Sequence, residues 1–270
     1  VGDHVRAVAG QPVRADQDFQ ALLAGTADRS TVLTVNSKPS LTGAREVLIK
    51  PMASDNTNPA GGIKDDIFIY RLGETRFLVC VNASNRDKIV SWLFQKVPQV
   101  DIRLSDESDE LAQIALQGPQ SHDILRAVCP AAADTLKPRQ CVETDVLGAQ
   151  GVVSRTGYTG EVGYELYVPS HKAVAVWDSL MKAGEKAGIK ACGLGSCDLL
   201  RLEVGYLLYG NDMDEQTTPL EAGAAFAVDF TKGEFVGSQA LLEQKEKGPA
   251  RRLVAFELLQ KGVPRHEMKI

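Results

Sequence analysis

Apolar and polar positions alternate clearly only downstream of Pro59. Residues 1–57 are weakly patterned: Phe19 to Leu23 has helical spacing, "TVLTV" (residues 31–35) has strand character, and polar stretches separate them. After the turn-forming "PAGG" the pattern sharpens. "IFIYRL" and "RFLVCV" are β-rich runs joined by a short polar "GET" loop, which predicts a hairpin from Ile67 to Val81. "NASNRDKIVSWLFQKV" then sets Ile89, Trp92, Leu93 and Val97 at helical spacing behind Asn85, a residue type that caps helix N-termini. A helix is therefore expected to cover the preceding strands.

The same logic recurs along the chain. "IRLSD" and "LAQIALQGP" read as strands, a helix follows from about Gln120 to Val128, and "VETDVLGAQGVVSRTGY" and "GYELYVP" read as further strands. "SHKAVAVWDSLMKAGEKAG" is amphipathic, with Val174, Trp177, Leu180 and Met181 sharing a face and Gly188 ending the helix. "LGSCDLLRLEVGY" predicts another helix, with Leu199, Leu202 and Tyr206 on one face. Hairpins outnumber strict strand-helix-strand units. The expected fold class is α+β, with mixed or antiparallel sheets and flanking helices. After Gly248-Pro249, "RRLVAFELLQKGVPRH" starts a strand-rich segment too short to bury its own apolar face.

Charge narrows the partners. The formal net charge is -5 and no run of five or six like charges occurs, so there is no basic surface for nucleic acid or an anionic membrane. No apolar run approaches the roughly 18 to 20 residues of a membrane span, and the first thirty residues lack a signal-peptide pattern. The five cysteines (80, 129, 141, 192 and 197) are scattered, without a histidine at metal-ligand spacing. They read as reduced, mostly buried residues of a cytosol-like compartment, and no metal is expected.

The candidate chemistry lies in "SRTGYTGEVGYELYVP", with glycines at 157, 160 and 163. A phosphate cradle requires a helix directly after the glycines; here strands lie on both sides, which predicts a wide hairpin instead. Period-two alternation sets Glu165 opposite Tyr164 and Leu166. It is either a solvated strand residue or a carboxylate accepting two parallel hydrogen bonds from a heterocycle with adjacent N–H and NH2 groups. Asp65 and Asp66 point to opposite faces, so they either both close the turn after Gly61 and Gly62 or send one carboxylate inward. Arg201 is either half of an exposed pair with Asp198 or Glu203, of little energetic weight, or part of a site.

Taken together and in order, "GGIKDD", "VNASN", "SRTGYTGEVGYELYVP", "LRLEVGYLLYGNDMDEQTTPLEAG", "FVGSQAL" and "RRLVAFELLQKGVPRH" resemble the aminomethyltransferase (T-protein) family of the glycine cleavage system, over roughly residues 58–268. Folate-dependent demethylases and non-catalytic folate-binding proteins of the same superfamily are the alternatives. The resemblance implies an unmatched segment at 1–57, a folate-binding core at 58–248 and the start of a C-terminal β-barrel at 249–270. It implies that Asp66 is catalytic beside N5 and N10 of tetrahydrofolate, and that Phe68 and Asn82 line the same pocket. Tyr158 and Glu165 match the family's pocket tyrosine and pterin-recognising glutamate, while Arg201 and Tyr209 match residues that close the folate site. Tetrahydrofolate as acceptor and lipoylated H-protein as partner follow from the same resemblance, in the cytoplasm or, in a eukaryote, the mitochondrial matrix. The chain departs from the family pattern at Ala53, where a tyrosine is usual, and at Cys197, where an arginine is usual.

Overall fold

Short β-rich runs bounded by Gly, Pro and Asn set the strand lengths in the computed structural model, which describes residues 57–96 and 102–259 and the backbone of four strands before them. Those four, β1 (His4–Val8), β2 (Gln11–Pro12), β3 (Thr31–Asn36) and β4 (Arg45–Ile49), form an antiparallel sheet in the order β2-β1-β3-β4. The expected "TVLTV" strand is β3. The helical candidate at Phe19 to Leu23, Ala53, Val97 and the "GVPRH" stretch lie outside the described residues.

Next come the predicted hairpin, β5 (Phe68–Arg71) and β6 (Phe77–Cys80), and helix α1 (Arg86–Lys96). The central sheet has four antiparallel strands, β7 (Leu111–Gln117), β8 (Cys141–Val146), β9 (Ala149–Ser154) and β10 (Gly163–Pro169), in the order β7-β10-β9-β8. Alternation divides this sheet. Ile114, Leu116, Val153, Tyr164, Leu166 and Val168 form one face and pack on α2 (Ser121–Val128), α3 (Pro130–Thr135) and α4 (Ala173–Gly184). Each fully buried aliphatic side chain there contributes about 1.5–3 kcal/mol. The opposite face carries Val152 and Tyr167, against which the hairpin packs Tyr70, with Leu72, Leu78, Cys80 and Cys141 around them. Helices α5 (Leu194–Glu203) and α6 (Ser238–Lys247) follow.

Several expectations change in three dimensions. Asn85 does not cap α1 through its side chain; it is buried and its Nδ2 donates to Asp65 Oδ1 at 2.7 Å. "IRLSD" forms no strand, because Asp106 and Asp109 turn to bind Arg86 of α1. Helix α4 buries Val176, Leu180 and Gly184 and leaves Val174 and Trp177 exposed. The reason is Gly184, where a Cβ would come within 2.6 Å of Ile189 and 3.0 Å of Ile124: the helix turns its small residue to the closest approach. In α5 the leucines at 199 and 202 are exposed and the buried residue is Arg201. Of the five free cysteines only Cys129 is fully buried. Residues 251–258 join none of the sheets among the described residues; Leu253 N–H donates to Glu221 O at 2.8 Å. No helix of the described residues is long and apolar enough to cross a membrane.

Candidate functional site

The helix-free face of the central sheet, partly covered by the hairpin, supplies the site's floor. Glu165 of β10 is half-buried among hydroxyls: Tyr70 donates to its Oε2 at 3.0 Å, Thr156 donates a short hydrogen bond to the same oxygen, and Gln113 Nε2 donates to Oε1 at 2.8 Å. Ser154 bonds Thr156 at 2.6 Å, and Tyr167 meets the Tyr70 hydroxyl at 3.1 Å. Burial, which outweighs the hydrogen bonds from Ser154, Thr156 and Tyr167, pushes the Tyr70 hydroxyl up to about 12. The Tyr167 hydroxyl is also pushed up, by burial and then by Glu165. Both stay protonated at neutral pH, and neither open reading of Glu165 holds unmodified. It is not simply solvated, and three of roughly four acceptor positions on its carboxylate are already taken.

The hairpin brings the aspartates and Asn82 to this floor. Asp65 is 2% exposed and Asp66 opens to the surface, the opposite-face arrangement that alternation requires. Although the residue is exposed, nearby protein partly desolvates the Asp66 carboxyl and pushes its pKa up, and the neighbouring Asp65 adds to the effect. Asn82 donates from its backbone and its Nδ2 to Asp65, at 3.1 and 2.8 Å, and from Nδ2 to Asp66 O at 3.0 Å. Phe68 is 43% exposed, its ring centroid 4.8 Å from that of Tyr70.

The glycine loop forms one wall, and its glycines answer to neighbours rather than to a phosphate. A Cβ at Gly157 or Gly163 would lie 1.9 or 2.1 Å from Gln117 Oε1, and one at Gly160 (φ +78°) 2.4 Å from Val204. Gln117 fills that space to donate to the carbonyls of Thr156 and Tyr164, tying the loop to β7. The loop thus presents Tyr158, whose ring stacks on Tyr206 (centroids 5.7 Å apart, 17° between planes) and whose hydroxyl donates a short hydrogen bond to Leu207 O. Burial pushes the Tyr158 hydroxyl to about 12, with Arg201 opposing and Asp66, Asp212 and Cys197 adding. Tyr158 therefore sits in the field of both Asp66 and the arginine. Periodicity places Tyr206 on a helix face, but the helix ends at Glu203; its stacking partner Tyr158 lies about fifty positions away and leaves no signal in the local pattern.

Arg201 is no exposed pair. Its guanidinium binds Asp198 at 2.7 and 2.8 Å, Tyr206 O at 3.0 Å and, through a short contact, Asp212, which also accepts Leu208 N–H at 2.9 Å. A buried cation left without such partners would cost about 3–5 kcal/mol, so Arg201 organises the 206–213 loop that carries Tyr206. Cys197, one turn earlier, is pushed up by burial and by Asp198, with Arg201 opposing and Glu165 adding. Tyr209 stands apart from the Glu165 network. Its hydroxyl accepts from Lys88 Nζ of α1 at 2.8 Å, and its ring packs beside Ile63, Met213 and Ala222. That cluster closes where Gly62 meets the 214–217 turn: a Cβ at Gly62 would lie 1.7 Å from Glu215 O, and Ile63 N–H donates to Thr217 O at 2.9 Å. Two open depressions, of about 180 and 450 Å³, lie near Glu221, Arg252 and Leu253, away from Glu165.

An antiparallel sheet with helices on one face, and on the other carboxylates set among aromatic rings and amides, defines an α+β class with a polar, aromatic-walled site on the helix-free sheet face. Within that class the chain belongs to the GCVT N-terminal domain family, whose model matches residues 54–232. Residues 1–54 match a different model, the Tricorn protease PDZ domain. The aminomethyltransferase of Halothermothrix orenii is 48% identical over 221 residues, covering 82% of this chain and 60% of its own length. That of Bacillus subtilis is 42% identical over 214 residues, covering 78% and 59%. The crystal structure of glycine cleavage system aminomethyltransferase T from Bartonella henselae is similar with a TM-score of 0.64 at 32% identity, over 73% of this chain and 53% of that one. The chain spans about three-fifths of the length of the curated relatives it matches.

Proposed function

We propose that this chain carries the folate-binding core of a glycine-cleavage aminomethyltransferase, which moves the methylene of an aminomethyl-lipoyl arm on H-protein to tetrahydrofolate. In that reaction the carbon's bonds to the lipoyl sulfur and to the amino nitrogen break, and bonds to N5 and N10 form. The two protons released by those nitrogens leave on the carrier thiol and on ammonia. A nitrogen attacks only with its lone pair free, so a proton acceptor beside it is required, and a carboxyl with raised proton affinity is suited to that at neutral pH. Asp66 takes this role and also stabilises the cationic carbon centre that develops. Asn82 and Glu165 orient the pterin, the Tyr158 and Tyr206 rings and Phe68 supply apolar wall, and Arg201 and Tyr209 hold the closing segment.

The supporting observation is Glu165, a carboxylate held by three protein donors on the helix-free sheet face of a GCVT-family chain. A pterin that takes two hydrogen bonds on this carboxylate must displace one donor, and Gln113, exposed and on the flank, is the one able to leave. Calorimetric titration with 5-formyltetrahydrofolate tests the reading. Micromolar binding is expected, lost in Glu165→Ala and tightened about fivefold in Gln113→Ala, which removes a competing bond of about 1 kcal/mol. Absence of binding to the folded wild-type chain would exclude the folate reading. With binding in hand, ammonia release from aminomethylated H-protein separates aminomethyl transfer from folate binding alone.

A further inference from the structure

Asp65 precedes the site carboxylate by one residue yet faces inward. Its carboxylate gathers donors from the segment after the hairpin: Asn82 N–H on Oδ2, and the side-chain amides of Asn82 and Asn85 on Oδ1. The remaining direction of the Asn82 amide nitrogen is used by Asp66 O. An amide whose nitrogen has both protons committed to acceptors behind it has its orientation decided, and only its oxygen is left to meet a ligand.

We infer that Asp65 is a positioning residue: it locks Asn82 so that Oδ1 stands as a hydrogen-bond acceptor beside Asp66, selecting a ligand that offers a donor there. The inference rests on the folate reading of the site, since the reduced pterin ring carries N–H donors. Asp65 also acts on Asp66 by charge, second to burial among the causes of its raised proton affinity. Tyr158 on the glycine loop, itself beside Arg201, Asp212 and Cys197, also lies in the field of Asp66. A residue that merely filled space would leave both the amide orientation and the Asp66 titration unmoved.

The experiment replaces Asp65 by Asn in the full chain and follows two signals: the carboxyl ¹³C titration of Asp66, and the affinity for 5-formyltetrahydrofolate. In a folded Asp65→Asn variant the Asp66 midpoint is expected to fall and binding to weaken about tenfold, the scale of one charge-assisted hydrogen bond. An unmoved Asp66 midpoint together with affinity within about twofold of wild type overturns the inference. Should the variant not fold, the wild-type protein decides: the Asn82 side-chain amide protons are expected to exchange at least about tenfold more slowly than those of the exposed Asn211, and equal exchange overturns it. If the wild type binds no folate, the folate reading fails, while the titration and the exchange rates still decide the role of Asp65.

Discussion

On the proposed function, Asp66 carries a conflict between stability and chemistry. Its folded pKa is raised, so the native state holds the proton more tightly than the unfolded chain does. The associated stabilisation is complete below the ordinary aspartate value of 3.8 and is lost as pH rises through the folded pKa, leaving an ionised group the fold would rather not have. Asp66→Asn is therefore expected to raise the thermal midpoint slightly at pH 7, with the gain vanishing below about pH 4. If Asp66 is the proton acceptor of the proposed methylene transfer, the same change is expected to lower that transfer by about 10²–10⁴-fold. Thermal melts across pH beside single-turnover transfer check both halves, and a melt that falls at pH 7 would contradict the first. Alternation put Asp65 and Asp66 on opposite faces without saying which turns inward. It could not tell that Asp65 has a task of its own, because Asn82 and Asn85 lie seventeen and twenty positions on.

Among the elements, the glycine loop is the most legible. Strands on both sides predicted a wide hairpin, and β9 and β10 pair antiparallel with Glu165 opposite Ser154. The partner that dictates its glycines, Gln117, belongs to β7, so their necessity is a tertiary fact. Gly157→Ala is expected to cost about 1–3 kcal/mol by overpacking alone. In a Gln117→Ala background it should cost less, with a coupling of at least about 0.5 kcal/mol measured by denaturant unfolding of the four-member cycle. Additive costs would show that the loop does not depend on Gln117. Helix α5 was the hardest element to read. Periodicity marks Leu199 and Leu202 as the inward face, but the field of Asp198 and Asp212 draws Arg201 inward instead.

At the scale of the whole molecule, the chain joins two kinds of sequence that meet near residue 54. The folate residues proposed above all lie downstream of that point. Removing residues 1–54 is expected to leave affinity for 5-formyltetrahydrofolate within about twofold, as for an independently folding neighbour, and a larger loss would show that the upstream segment completes the site. By itself the sequence determined the α+β class, the hairpins and the helices near 121–128 and 194–203, because these follow from local periodicity and turn chemistry, while the carboxylates and aromatics worth testing followed from the ordered motifs that resemble the family. Tertiary structure alone decided which side chains share a site and in what state. Glu165 is held by residues of the first hairpin, β7 and the glycine loop, Tyr158 stacks on Tyr206, and Arg201 is buried between Asp198 and Asp212. Hydrogen bonds, ring contacts and burial depend on distances in space, and positions as far apart as Tyr70 and Glu165, ninety-five residues, acquire those distances only when the sheet, its helices and the hairpin have packed.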